Sequence, residues 1–279
     1  MINAKSKEMK THLTADEWAQ YEQEGYLVLK ALITPDWIER LQNRIDAIML
    51  GKADTDYDSL LMQLDSENGE YDSAGKQSSG FKGATRNYRK IQELEWDAEF
   101  LNLMRHPLFE DACNRAYANS DVSCYRAMFM NKPAKRGTFL PFHQDRWNFL
   151  DRDQELTVWV ALDPATRENG CVQVIPRTHR ELINPSHASG FLTDGQAAEF
   201  APEEKRVYVE LEAGDVVLLH NHLIHGSDRN HSSQSRRAFS ACFMDSTTRH
   251  LKNQLKTYPV IFGENAIQAK TRETTLSQS

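Results

Sequence analysis

Apolar residues along this chain change their spacing near residue 122. Before it they recur at helical intervals, and after it they come in short runs broken by turn residues. Thr14-Ala15-Asp16-Glu17 is a capping box, in which Thr14 accepts from the first turn and Glu17, three positions on, reaches back. The helix it opens runs through Tyr21 and is expected to end near Gly25, after which Tyr26-Leu27-Val28-Leu29 predicts a strand. Thr34-Pro35 opens a second helix, with Pro35 at its first position and Ile38, Leu41, Ile45, Ile48 and Met49 on one face up to Gly51. Residues 99–104 and 108–117 predict two further helices, separated by Pro107. Residues 52–83 lack periodicity apart from Leu60-Leu61-Met62, and are rich in Asp, Ser, Gly and Asn. They predict a long irregular connection with one helical turn, which in a compact domain is expected to be either a lid or a disordered segment.

From residue 122 the expected strands are 122–130, 138–144, 156–162, 171–175, 206–211, 216–219 and 238–244. Strands at this spacing, without long helices between them, predict a sandwich or barrel. Residues 186–204 read as a polar loop with a short helix, and residues 1–12 and about 267–279 as flexible tails of a single 279-residue domain.

Composition narrows the function classes. The chain is 40% apolar and 26% charged, enough to bury a core, and its formal net charge is -7. No long basic run occurs, so nucleic acid and an anionic membrane are not expected partners. Residues 1–10 lack the apolar segment of a secretory signal, and no stretch approaches the ~18 consecutive apolar residues of a membrane helix. Cys113, Cys124, Cys171 and Cys242 form no CxxC pair, which suits reduced thiols in a cytoplasmic enzyme.

Two stretches carry candidate chemistry. In Phe142-His143-Gln144-Asp145, an extended backbone points His143 and Asp145 to one face and Gln144 away. The apolar run 214–227 ends in three further histidines, His220, His222 and His225, of which His225 stands before Gly226 at a strand end. Two imidazoles and one carboxylate with open positions beside them form the facial site of non-heme Fe(II) oxygenases. On strand geometry His220 and His222 share one face, where they read as rim or partly buried histidines, and His225 lies on the other.

The chain resembles the phytanoyl-CoA dioxygenase family of Fe(II)/2-oxoglutarate oxygenases. The resemblance is carried by Lys90-Ile91-Gln92, residues 128–133, His143-Gln144-Asp145, residues 158–162, residues 168–179, the run from Gly214-Asp215 to His225-Gly226-Ser227, and Arg236. It implies a mainly β fold, a double-stranded β-helix of jelly-roll or cupin type with flanking N-terminal helices. It also implies that His143, Asp145 and His225 hold Fe(II), and that Arg236, eleven residues after His225, holds the distal carboxylate of 2-oxoglutarate with help from the Ser227 hydroxyl. Lys90, Met128 and Trp159 fall on positions that line the family's cosubstrate pocket, although Trp159 reads equally as core, Met128 as packing and Lys90 as a surface charge.

The implied activity is a dioxygenase that uses O2 and 2-oxoglutarate to hydroxylate an unactivated C–H bond of a small molecule, with release of succinate and CO2. Two alternatives stay open: an acyl-CoA 2-hydroxylase, and a metal-binding cupin-like module or isomerase without O2 chemistry. A halogenase is disfavoured because Asp145 is present where halogenases lose their carboxylate. Arg86, Arg89, Arg126, Lys132, Lys135, Arg136 and Arg146 read either as ordinary surface charge or as the mark of an anionic substrate.

Overall fold

The computed structural model describes residues 9–117 and 121–268. Helix α1 (Ala15–Glu24) starts at the expected capping box, with the Glu17 amide donating to Thr14 Oγ1 at 3.2 Å and the Thr14 amide to the Glu17 carboxylate at 2.9 Å. It stops at Gly25, whose φ of 81° is open to glycine and whose amide caps the Tyr21 carbonyl. Strand β1 (Tyr26–Leu29) and helix α2 (Pro35–Met49) follow, and every apolar residue singled out on α2 is buried.

Residues 52–83 differ from expectation. They contain single 3₁₀ turns at Tyr57–Ser59 and Tyr71–Ser73, but also strands β2 (Leu61–Leu64) and β3 (Ser78–Ser79). Strand β2 is clamped onto β4 (Tyr88–Gln92), with the buried Met62 opposite Ile91. Strands this short hold too few alternations to register as a period.

Helices α3 (Ala98–Met104) and α4 (Pro107–Ala116) precede the long strand β5 (Val122–Lys132). The rest is β6 (Leu140–His143), β7 (Leu156–Ala161), β8 (Val172–Val174), α5 (Asp194–Phe200), β9 (Val207–Val209), β10 (Val216–His220), β11 (His225–Ser227), β12 (Arg236–Asp245) and β13 (Val260–Phe262). The expected tails at 1–8 and 269–279 lie outside the described residues. Next to them the chain is tied down: Leu13 donates to Asp111 at 2.9 Å and Ile267 to the Val260 carbonyl at 2.8 Å.

The fold is a double-stranded β-helix. The larger sheet runs β1-β10-β7-β12-β5-β4-β2-β3, with β13 on β5, and the smaller β6-β11-β8-β9; all recorded pairings are antiparallel. The alternation of strand side chains divides the larger sheet. Ala127, Phe129, Val158, Val160, Phe239 and Ala241 pack into the core shared with the helices. Their sequence neighbours Met128, Trp159 and Ser240, and Arg236 in phase with Ser240, line the cavity between the two sheets.

Arg237, adjacent to Arg236, points the other way. Its Nε and Nη2 donate to the two oxygens of Asp163, both at 2.8 Å, and Nη1 donates to Asp46 at 2.8 Å. The arginine is therefore a clasp between β12, the β7 exit and α2, not the solvated residue that a strand start suggests. Truncating the arginine leaves Asp163 without its cation and Asp46 with the exposed Arg86 alone, a loss of about 2–4 kcal/mol. Arg237→Ala is expected to lower the melting temperature by about 5–15 °C without weakening cosubstrate binding, as calorimetry and a 2-oxoglutarate titration would establish.

His106 gives a pH dependence. It caps α4 by accepting the Leu108 amide on Nδ1 at 3.2 Å, and burial pushes its pKa down to about 4. The unfolded chain, with an ordinary histidine near 6.5, takes up the proton first, so stability is lost as pH falls from about 6.5 towards 4. His106→Asn keeps a capping acceptor that does not titrate. The variant should show a slope of unfolding free energy against pH, between 6 and 4.5, shallower by up to about 1.4 kcal/mol per pH unit; equal slopes would mean that His106 takes its proton in the folded state.

Candidate active site

Strands β6 and β11 are neighbours in the smaller sheet, and their register places His143 opposite His225. The two rings lie 4.2 Å apart between centroids. Asp145, just past the end of β6, brings one oxygen to 3.7 Å from His143 Nε2 and the other to 3.9 Å from His225 Nε2. The ligand atoms of the three residues all lie within 4.8 Å of one another, and theirs is the one such cluster among the described residues.

Both imidazoles are preset for a metal. His143 Nδ1 donates to the Pro141 carbonyl at 2.9 Å and His225 Nδ1 to the Leu223 carbonyl at 2.8 Å. A carbonyl only accepts, so the proton sits on Nδ1 and the Nε2 lone pair is left facing the cluster. Burial, and then the neighbouring His225, push the His143 pKa down to about 3, which keeps the ring neutral. Burial alone would raise Asp145, but His225, Arg126 and His143 outweigh it and hold the carboxyl below its ordinary range. Two imidazoles presenting Nε2, one carboxylate and an open side fit Fe(II).

His220 and His222 are not part of the cluster, although His220 lines the cavity over it. Strand β10 ends at His220 and the chain turns between the sheets, closed by the Leu223 amide donating to the His220 carbonyl at 2.9 Å. The strand alternation assumed for all three histidines is therefore interrupted. His220 packs against Tyr21 and His179, and His222 faces Asp153 at 3.5 Å.

The cavity over the cluster measures about 240 Å³, and Arg236, Ser227, Trp159, Met128 and Lys90 all line it. Arg236 is 2% exposed, with its guanidinium 5.3 Å above the Trp159 ring. Its Nε and Nη1 are buried without a hydrogen-bond partner. Burial lowers its pKa only to about 10, so it stays charged, and an unmatched buried guanidinium calls for an anion. These residues fit one carboxylate of a diacid such as 2-oxoglutarate. Lys90 is half-buried and held well below the usual lysine range by burial, then by Arg89 and Arg126.

Other contributors were not legible in the sequence. Phe191 stacks on His143 with centroids 4.8 Å apart, and Tyr71 meets Phe191 at 5.3 Å, closing the cavity from two loops. Neither loop has a periodic pattern to announce it. Gln92 also lines the cavity, and its position two residues after Lys90 on a strand is the signal that would have found it.

Comparison with known proteins agrees with this geometry. The family model for phytanoyl-CoA dioxygenase (PhyH) matches residues 21–238. The mouse protein named peroxisomal phytanoyl-CoA dioxygenase is 28% identical over 245 residues, covering 83% of this chain and 68% of its own. A probable phytanoyl-CoA dioxygenase of Caenorhabditis elegans is 26% identical over 275 residues, covering 94% and 85%. Among solved structures, EctD from S. alaskensis with 2-oxoglutarate and 5-hydroxyectoine shares the fold with a TM-score of 0.69 at 20% identity, covering 92% of this chain and 86% of its own. The alpha ketoglutarate dependent carbocyclase SnoK shares it with a TM-score of 0.65 at 19% identity, covering 90% and 94%.

Metal titration of single variants tests the cluster. His225→Ala is expected to abolish stoichiometric Fe(II) binding, whereas His222→Ala should retain it; the reverse result would move the distal ligand. For the anion site, Arg236→Ala should weaken 2-oxoglutarate binding roughly 30- to 5,000-fold, the range expected when a carboxylate loses a buried bidentate partner. Arg236→Lys should restore only part of it, because an ammonium lacks the fork.

Proposed function

The chain belongs to the phytanoyl-CoA dioxygenase family and is a 2-oxoglutarate-dependent non-heme iron dioxygenase, and on that premise we propose that it hydroxylates an unactivated C–H bond of a small anionic metabolite. The observation that carries this reading is the pairing of a three-ligand cluster with a buried guanidinium lacking partners at Nε and Nη1 in one cavity. Succinate release under air separates this reading from a metal-binding module or isomerase without O2 chemistry.

In this reading His143, Asp145 and His225 hold Fe(II), and Arg236 and Ser227 take the distal carboxylate of 2-oxoglutarate, with Lys90, Met128 and Trp159 around it. Bound iron, 2-oxoglutarate and O2 supply the oxidising power, with succinate and CO2 as products. The chain's own residues do the rest. The Nδ1–H bonds to Pro141 and Leu223 lock both imidazoles. The Asp145 amide donates to the Asn221 carbonyl at 2.7 Å, which sets the carboxylate's position. Phe191 and Tyr71 exclude water above the cluster. The loop between β2 and β3, which carries Tyr71 and Gln77 to the cavity, is the part of the expected lid that would move.

An acyl-CoA substrate is the second reading, supported by the printed names of the sequence relatives. The test is succinate release under air with Fe(II), comparing small carboxylates and phosphonates with a branched acyl-CoA and its free acid. Stimulation by a small acid with a hydroxylated product is expected; stimulation by the thioester alone would establish the second reading. No chlorinated product should form in chloride, and finding one would overturn the hydroxylase assignment.

A further inference from the structure

We infer that Arg126 anchors an anionic group of the substrate, a carboxylate or phosphonate, at the end of the cavity opposite Arg236. The inference rests on the oxygenase reading above and adds the residue that selects the substrate.

The strand ladder separates the two arginines. Arg126 and Lys132 lie six positions apart on β5, and β12 sets Cys242 opposite Arg126, Ser240 opposite Met128 and Arg236 opposite Lys132. Six residues of strand span about 20 Å. The backbone positions of the two arginines are thus further apart than a 2-oxoglutarate held by Arg236 is long. Arg126 stands at the cluster end, with Nη2 3.8 Å from Asp145.

That 3.8 Å contact is too long for a hydrogen bond, and among the described residues no acceptor lies within hydrogen-bond distance of the Arg126 guanidinium. The group is nevertheless held, 5.0 Å from the Trp147 ring centroid and 6.0 Å from that of Tyr125, with those two rings only 4.1 Å apart. Its side chain is 22% exposed, and that exposure is towards the cavity it lines. Once Asp145 gives its charge to a divalent ion, Arg126 loses its nearest counter-charge. An anion from the substrate replaces it, and a guanidinium accepts a carboxylate or phosphonate through two parallel hydrogen bonds.

The other basic residues near the motifs are engaged or face elsewhere. Arg86 pairs with Asp46 at 2.9 Å, Arg89 donates to Gln63 at 3.1 Å, and Arg146 meets Asp153 at 3.2 Å. Lys132 donates to the Thr138 carbonyl at 2.5 Å. Only Arg126 and Lys90 of the local cations, Arg236 aside, line the cavity, and Lys90 feels the charges of Arg126 and Asp145, so an anion held by Arg126 would also meet Lys90. The volume of about 240 Å³ must also house the cosubstrate, which favours a compact acid. A thioester of coenzyme A would have to carry its phosphates out past Tyr71, Gln77 and Ser189, none of them a cation.

The experiment is calorimetric titration of the anaerobic Fe(II)·2-oxoglutarate complex with butyrate, methylphosphonate and the neutral butyramide, on wild type, Arg126→Leu, Arg126→Gln and Arg126→Lys. Each variant is first checked by its unfolding midpoint and its 2-oxoglutarate affinity. Wild type should bind the two anions saturably and not the amide. The Leu and Gln variants should lose roughly 30-fold or more in anion affinity with 2-oxoglutarate affinity unchanged, and Lys should recover part of the loss. Equal binding of amide and acid, no anion binding by wild type, or undiminished anion binding by folded Leu and Gln variants would each overturn the inference. So would a loss confined to 2-oxoglutarate, which would assign Arg126 to the cosubstrate. Failure of wild type to form the Fe(II)·2-oxoglutarate complex at all is a separate result, because it sinks the oxygenase reading at the first step and this inference with it.

Discussion

The register of β12 between β5 and β7 is the constraint on which the rest of this structure depends. Because side chains alternate along a strand, a register that sends Phe239 and Ala241 into the helix-packed core necessarily sends Ser240 and Arg236 into the cavity. A slip of one residue would bury Arg237 in the cavity and expose Arg236, losing the Asp163 and Asp46 clasp and the anion site together. The clasp thus does more than stabilise. It penalises the one alternative pairing that would destroy function, a role for which paired charges at a strand start suit well.

A second constraint joins the two sheets at the His143–Asp145–His225 cluster. The turn between β10 and β11 accepts the Asp145 amide on the Asn221 carbonyl and the Gln144 side chain on the His222 carbonyl, both at 2.7 Å, and His225 lies just beyond. Gln144 also accepts the Ile183 amide at 2.8 Å, and the Asn221 side chain is held by Thr157 at 3.0 Å and Cys242 at 3.2 Å. The residue that points away from the metal in the His-x-Asp motif therefore orients the motif. Asp145 and His225, far apart in sequence, are positioned by the same five-residue stretch, so their separation does not depend on the loops above the cavity.

How much of this was legible follows from the length of each pattern. Helix α2 shows five apolar residues on one face between a proline start and a glycine stop, and it formed as read. Long strands such as β5, β7 and β12 match expectation with ends shifted by a residue or two; β2, β3, β4, β11 and β13 were not expected, although the equally short β1, β6, β8 and β9 were, because turn residues bracket them. The fate of His220 and His222 turned on a strand ending five residues earlier than continuous alternation implies. The phenylalanine over His143 comes from a loop that no periodicity describes. Local patterns reveal secondary structure and the near half of the His-x-Asp pair; which residues arrive from across the fold is a property of register and turns.

The charges complete the logic. Arg236 is buried with two unmatched nitrogens, Lys90 faces the same cavity with its pKa lowered by burial, and Arg126 stands beside a carboxylate that a metal would claim. In a chain of formal net charge -7, three cations face one cavity, with Asp145 the acidic side chain lining it. Such an arrangement is unfavourable in the empty protein and becomes favourable as anions enter, so ligand binding and stability are linked: each anion that binds the folded state alone raises stability by RT ln(1 + [L]/Kd). Arg236 is the one side chain with two unmatched buried atoms among the described residues, and it lines the cavity over the His143–Asp145–His225 cluster. The interior holds together through alternation and packing, and the energy withheld from its charges is what the cavity has to offer its ligands.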